Sequence, residues 1–149
     1  MSVGRQINAT PAAVYGALTD AGLVSRWRAP DGMTATVHTF DPRPGGTFRI
    51  SLSYDDESRI GKTAGNVDTY HGYFRELVPD RRVVEVIEFE TSDSELASEM
   101  TVTTSLEDVG GQTEVLVLFD GLPDAVSLED NAAGTAASLA NLARLVEVN

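Results

Sequence analysis

The stretch Thr36-Val37-His38-Thr39-Phe40-Asp41-Pro42-Arg43-Pro44-Gly45-Gly46-Thr47-Phe48-Arg49-Ile50-Ser51-Leu52 decides the fold. In its second half Phe48, Ile50 and Leu52 alternate with Thr47, Arg49 and Ser51, the period-two pattern of a half-buried antiparallel strand. In its first half Val37 and Phe40 sit among threonines and read as the partner strand. Between them, two prolines withhold ladder donors and two glycines accept positive φ, so the chain must reverse. The hairpin carries no nucleophile, metal cluster or phosphate loop. It speaks to architecture more than to activity.

Working outward, residues 3–8 read as a first strand. Thr10 and Pro11 then form a helix start, cap followed by first helical position, with Val14, Ala17 and Leu18 on one face. Asp20 is a second cap, followed by Leu23, Val24 and Trp27, and Pro30-Asp31-Gly32 closes that second short helix. Beyond it, strands are expected at 34–40, 47–54, 69–78, 82–91, 99–107 and 112–120. Turns fall at Pro79-Asp80, Asp93-Ser94 and Gly110-Gly111, and a polar loop covers 55–68. Ser127 with Asp130 three residues on opens a last helix. Its stripe of Ala132, Ala136, Leu139, Ala140, Ala143 and Val146 is widened by Leu142 and Leu145. An antiparallel sheet needs one face covered, and the last helix is the element able to cover it. Small residues in its first half would leave a volume between helix and sheet.

The chain has 149 residues, which predicts one domain, 1–149, with a real core. It has 23 acidic and 11 basic residues, a net charge of -12, and Lys62 as its sole lysine. Nucleic-acid binding draws on phosphate neutralisation by Lys and Arg, so nucleic acid is not an expected partner. Anionic membrane surfaces are disfavoured for the same reason. There is no cysteine, which removes disulfides, thiolate catalysis and cysteine-ligated zinc. No apolar run approaches the ~20 residues of a membrane span. The start, Met1-Ser2-Val3-Gly4-Arg5, is too polar for a secretory signal. The expected location is the cytoplasm.

The ordered set of motifs resembles a known family. Ala9-Thr10-Pro11, Val14, Leu18-Thr19-Asp20 and Trp27 come first, then Phe40 to Gly46. Gly72-Tyr73-Phe74-Arg75-Glu76-Leu77-Val78-Pro79, Arg82-Val83-Val84, Thr113-Glu114-Val115, Gly121-Leu122 and Leu139-Ala140-Asn141-Leu142 follow. Nearly the whole chain is similar to the START-like helix-grip superfamily shared with the major birch pollen allergen. More narrowly, it resembles the family of the activator of heat-shock protein 90 ATPase, in its C-terminal-type domain. The resemblance implies an α+β helix-grip fold. A curved antiparallel sheet of six to seven strands would wrap around a long C-terminal helix, with two short helices after strand one. It implies ligand carriers, cyclases or co-chaperone domains as functions, without choosing among them.

Strand parity nominates the residues facing the helix. Trp27, Met33, His38, Phe40, Phe48, Ile50, Tyr70, Phe74, Met100 and Phe119 are the expected cavity lining, and Asn131 stands near its mouth. The competing reading of the apolar members is a filled core. Leu116 and Leu118 leave the parity of 112–120 unclean. Glu85 is the sharpest candidate. If Val83, Ile87 and Phe89 point inward, so does Glu85, and a carboxylate in an apolar cavity can anchor a ligand or move a proton. Otherwise it sits at a twisted edge, paired with Arg75 or Arg82. His38 shares parity with Phe40, His71 is expected to face out, and neither has a second ligand at metal spacing. Asp68, Tyr70 and His71 could form a small polar cluster. Neither cofactor nor metal is called for.

The first functional expectation is a binding domain for an apolar or aromatic small molecule held between sheet and helix. The second is a protein-interaction module related to the chaperone activator. The third is a cyclase- or hydrolase-like enzyme using His38, Glu85 or a tyrosine. A small apolar ligand, a chaperone or other protein, and a second copy of the chain are the partners the sequence leaves open.

Overall fold

Thr10 and Asp20 turn the chain into its first two helices. Thr10 Oγ1 accepts from the Ala13 amide at 3.2 Å, and Asp20 Oδ1 accepts from that of Leu23 at 3.0 Å. These caps open α1 (Pro11–Leu18) and α2 (Ala21–Trp27), which abut as the sequence predicts. Ser127 caps α3 (Leu128–Val146) in the same way, its Oγ accepting from the Asp130 amide at 3.2 Å. This computed structural model describes residues 1–147. Among them no helix is long and apolar enough to cross a membrane.

The strands are β1 (Ser2–Ile7), β2 (Met33–Phe40), β3 (Thr47–Tyr54), β4 (Val67–Val78), β5 (Arg82–Phe89), β6 (Met100–Val109) and β7 (Gln112–Asp120). They form one antiparallel sheet in the order β1-β7-β6-β5-β4-β3-β2, with β1 and β2 at the edges. β4 starts two residues before the expected 69. Residues 63–67 fold back on themselves, with the Val67 amide donating to Ala64 O at 2.9 Å. That contact shortens the polar loop to 55–66.

The Asp41–Gly46 turn does more than join β2 to β3. Gly45 takes φ +81, and the Gly46 amide donates to Arg43 O at 2.7 Å. The same turn then bonds to β4. The Gly45 amide donates to Phe74 O at 2.7 Å, and the Phe74 amide donates to Gly46 O at 2.9 Å. Next to that contact Arg75 is the extra residue of a bulge, since Phe74 pairs with Glu85 and Glu76 with Val84. A second bulge puts His38 out of register between Val37 and Thr39. Bulges bend and twist a ladder locally.

Parity on β7 is clean in three dimensions. Val115 and Val117 are buried, while Leu116 and Leu118 keep 44% and 40% of their surface on the outer face. α3 packs against β1, α1 and α2, burying Leu139, Leu142 and Ala143. Two side chains of α3 hold the end of α2. Ser138 Oγ donates to Arg28 O at 2.7 Å, and Asn141 Nδ2 donates to Ala29 O at 2.8 Å. Trp27 is buried beneath, its Nε1 donating to Ala17 O at 2.9 Å. The backbone of Arg28 is thus fixed at the junction of α2, α3 and the sheet.

Candidate ligand-binding site

Register sets the inner face of the sheet. One row of cross-strand partners runs Phe40, Phe48, Gly72, Ile87, Met100, and the next runs Phe74, Glu85, Val102, Phe119. Tyr70 lies in the adjoining row, between Ile50 and Phe89. Successive residues of a strand point to opposite faces, so Glu85 shares a face with Ile87 and Val83. It is buried there at 4% exposure.

Glu85 pairs with neither Arg75 nor Arg82. Arg82 is occupied by Glu76 at the surface. The partner of Glu85 is Arg28, at the C-cap of α2, with Nη2 3.6 Å from Oε2. That distance is an ion pair but too long for a good hydrogen bond. The guanidinium lies over the Trp27 ring at 4.8 Å from its centroid. Tyr70 stands beside both charges, and burial is the main force raising its pKa. Glu85 pushes the same way and Arg28 opposes them, so the phenol stays protonated. Burial would depress the Arg28 guanidinium, but Tyr70 and Glu85 together outweigh it and the group remains charged.

Two donors in this cluster have no hydrogen-bond partner among the described residues, Arg28 Nε and Tyr70 Oη. Tyr70 Oη lies against the Arg28 guanidinium and favours its charged form, but the contact is too poorly aligned to be a full hydrogen bond and leaves the phenol proton without an acceptor. An unmet buried donor costs about 1–3 kcal/mol, and native interiors hold few of them. The cluster can therefore donate hydrogen bonds to an acceptor from outside, from two donors beside a compensated charge pair among apolar side chains.

The remaining expected residues separate into groups. Phe40, Phe48, Phe74 and Tyr70 form an aromatic cluster, with Phe48 and Phe74 centroids 5.1 Å apart and Phe40 edge-on to Phe74 at 5.4 Å. Phe48, Ile50 and Phe74 keep 1% of their surface or less. A void wide enough for water beside them would leave more. The space expected along these three side chains is closed by their own packing. Met100 is buried in the same wall, and Phe119 is half-buried at its end. Asn131 lies in the first turn of α3, where its Nδ2 donates to Met1 Sδ at 3.4 Å. Met33 is half-buried on edge strand β2. It lines a surface recess of about 490 Å³ with Asn141, Arg144 and Leu145, outside the Glu85 cluster.

His38 does not face the cavity. The bulge turns it to the outer face, where its Nε2 is 2.8 Å from Ser51 Oγ, itself 2.8 Å from Thr69 Oγ1. The Asp68–Tyr70–His71 cluster also divides. Lys62 Nζ holds Asp68 at 2.9 Å, Tyr70 points inward, and His71 sits outside between Glu88 at 2.9 Å and Glu90 at 3.1 Å. Among the described residues no group of His, Asp and Glu side chains is arranged to hold a metal.

Arg28 is the functional candidate that sequence reasoning missed. The signal was present. Val24, Trp27 and Arg28 stand at i, i+3 and i+4, one face of a helix, so the face that buries Val24 and Trp27 carries Arg28 inward too.

The outer face yields a pH prediction. Arg49 donates to Glu90 through Nε at 2.8 Å and Nη2 at 3.0 Å. The Arg49 hydrogen bonds are the main reason the Glu90 carboxyl titrates below its usual range; burial opposes this, and His71 adds a smaller pull downward. A depressed folded-state pKa stabilises the fold above the unfolded carboxyl value of about 4.3. That contribution is lost as pH falls through the lower folded value. Carboxyl NMR titration should show Glu90 returning toward its ordinary value in Arg49→Gln; an unmoved Glu90 would exclude the pair as the cause.

A curled antiparallel sheet closed by one long helix, with two short helices after the first strand, is the helix-grip architecture of START-like proteins. Within that class the family model described as Activator of Hsp90 ATPase homolog 1-like protein matches residues 8–147, and the chain belongs to this family. Its fold is similar to that of a Chromobacterium violaceum protein, 28% identical, with a TM-score of 0.89 and coverage of 100% of this chain and 97% of that one. An AHSA1-like protein from Aeromonas hydrophila is 21% identical over 98% of this chain and 92% of its own, with a TM-score of 0.72. DynU16, a putative protein in the dynemicin biosynthetic locus, is 18% identical with a TM-score of 0.68. The match covers 97% of this chain and 45% of that one. A comparison with curated proteins finds no match.

Proposed function

We propose that this protein binds a small molecule with an apolar or aromatic body between the inner face of its sheet and the helices, anchored at Arg28, Glu85 and Tyr70. The observation that carries the reading is the pair of unmet buried donors, Arg28 Nε and Tyr70 Oη, beside a compensated ion pair. Buried donors without a protein partner are met in native interiors by ordered water or by a ligand, and a binding site uses them on its ligand. The apolar walls supply contact area, and the tight packing of Phe48 and Phe74 makes entry depend on side chains parting. The test is native mass spectrometry of protein purified without detergent, with melting curves in 2-acetylnaphthalene. A ligand bound one to one, or a raised melting temperature, supports the reading. Protein that carries nothing and melts unchanged contradicts it.

A protein-interaction role, the second reading, rests on a different observation. Leu116 and Leu118 expose apolar surface on the outer face of β7, against edge strand β1. Under that reading Leu116→Ser/Leu118→Ser abolishes any effect on the ATPase of heat-shock protein 90. No effect from the unmodified protein removes this role. The enzyme reading loses its pairing of Glu85 with His38, which sits on the opposite face.

A further inference from the structure

The chemical class of the ligand follows from donors, acceptors and charge around Glu85, and rests on the binding reading above. The Arg28 guanidinium offers only donors, and the protonated Tyr70 hydroxyl beside it has a proton to give. Both unmet groups, Arg28 Nε and Tyr70 Oη, therefore ask the ligand for an acceptor. The charge on Arg28 is already answered by Glu85 at 3.6 Å, so the cluster is neutral as it stands. A carboxylate ligand would supply the acceptor but add an uncompensated negative charge beside a carboxylate buried to 5% side-chain exposure. A cationic ligand would meet the guanidinium and leave both donors unmet. An uncharged carbonyl oxygen has two lone pairs, one for each donor, and leaves the charge balance intact.

We propose that the ligand is an uncharged apolar or aromatic carbonyl compound, a ketone, ester or quinone, whose oxygen accepts from Arg28 Nε and Tyr70 Oη. Glu85 then acts as the selectivity residue. By cancelling the charge of Arg28 it makes the site reject anions that a bare arginine would hold. The body of the ligand would lie among Trp27 and the neighbouring inner-face aromatics, in space opened as those packed side chains part.

The experiment compares two probes with one ring system, 2-acetylnaphthalene and 2-naphthoate, by isothermal titration at pH 7.5. The unmodified protein is expected to bind the ketone about tenfold or more tightly than the carboxylate, roughly 1.4 kcal/mol. Tyr70→Phe should weaken ketone binding about tenfold with no loss of melting temperature, because it removes an unmet buried hydroxyl. Glu85→Gln should reverse the preference toward naphthoate by freeing the Arg28 charge. The inference is overturned if the unmodified protein prefers naphthoate, if Tyr70→Phe binds the ketone undiminished, or if folded Glu85→Gln keeps the original preference. If Glu85→Gln does not fold, the unmodified protein and Tyr70→Phe decide the matter. Absence of binding by both probes overturns the binding reading itself, and this inference with it.

Discussion

Replacing Arg28 with methionine should lower the free energy of unfolding by about 3–5 kcal/mol, the cost of stranding one member of a buried ion pair. Glu85 keeps 5% of its side-chain surface, and its charge is answered by Arg28 at 3.6 Å. Methionine keeps much of the contact with Trp27 but leaves that carboxylate without a counterion. Arg28 itself is 16% exposed, so some solvent screening moves the expected value toward the lower end of the range. The double variant Arg28→Met/Glu85→Leu should recover most of the loss, because a well-packed apolar pair can match a buried ion pair. Urea denaturation of the two variants tests both statements. A loss under about 1 kcal/mol for Arg28→Met would mean that the pair behaves as a solvated surface contact, and the electrostatic account of the site would fall with it.

Gly72→Ala should be comparably damaging, costing about 3 kcal/mol or more, by a steric route. A Cβ at this position would lie 1.9 Å from Val86 O and 3.0 Å from Phe48 Cζ. The first contact is with backbone, which cannot swing away, and the second is with a ring that keeps 1% of its surface. The inner row here passes from Phe48 across a residue without a side chain to Ile87. Gly16→Ala in α1 is the control. No heavy atom lies within 4 Å of the Cβ it would add, and helix propensity predicts a gain of about 0.5–1 kcal/mol. Opposite signs for the two substitutions in urea melts confirm the close approach at Gly72; a mild effect there would contradict it.

Much of the architecture was legible because it is written in local chemistry. Thr10, Asp20 and Ser127 cap the helices they were expected to cap, since a short side-chain oxygen meets an amide three residues on whatever the rest of the chain does. The alternation of Phe48 and Ile50, and of Val115 and Val117, puts those residues in the core because an antiparallel strand has one face to bury. Glu85 was legible to the level of its face and no further. Parity says which side of a sheet a residue occupies; it does not say which helix residue waits across the fold, and Arg28 lies 57 positions earlier in the chain (85 − 28). His38 failed for a reason that alternation cannot register. One bulged residue reverses parity, and nothing in Val37-His38-Thr39 marks the bulge. Even the opening turn held more than its prolines and glycines disclosed. Its bonds to Phe74 are long-range and lie beside the bulge at Arg75.

The central claim is that the unmet donors beside Glu85 are the anchor of a small-molecule site. The most direct measurement is the NMR resonance of the Arg28 Nε–H group during titration with 2-acetylnaphthalene. The resonance should shift downfield in a saturable manner as its hydrogen bond to the ligand forms, with smaller shifts at Tyr70. Binding that leaves Arg28 Nε–H unmoved, and shifts resonances of the Met33–Asn141 recess or the outer face instead, would contradict it.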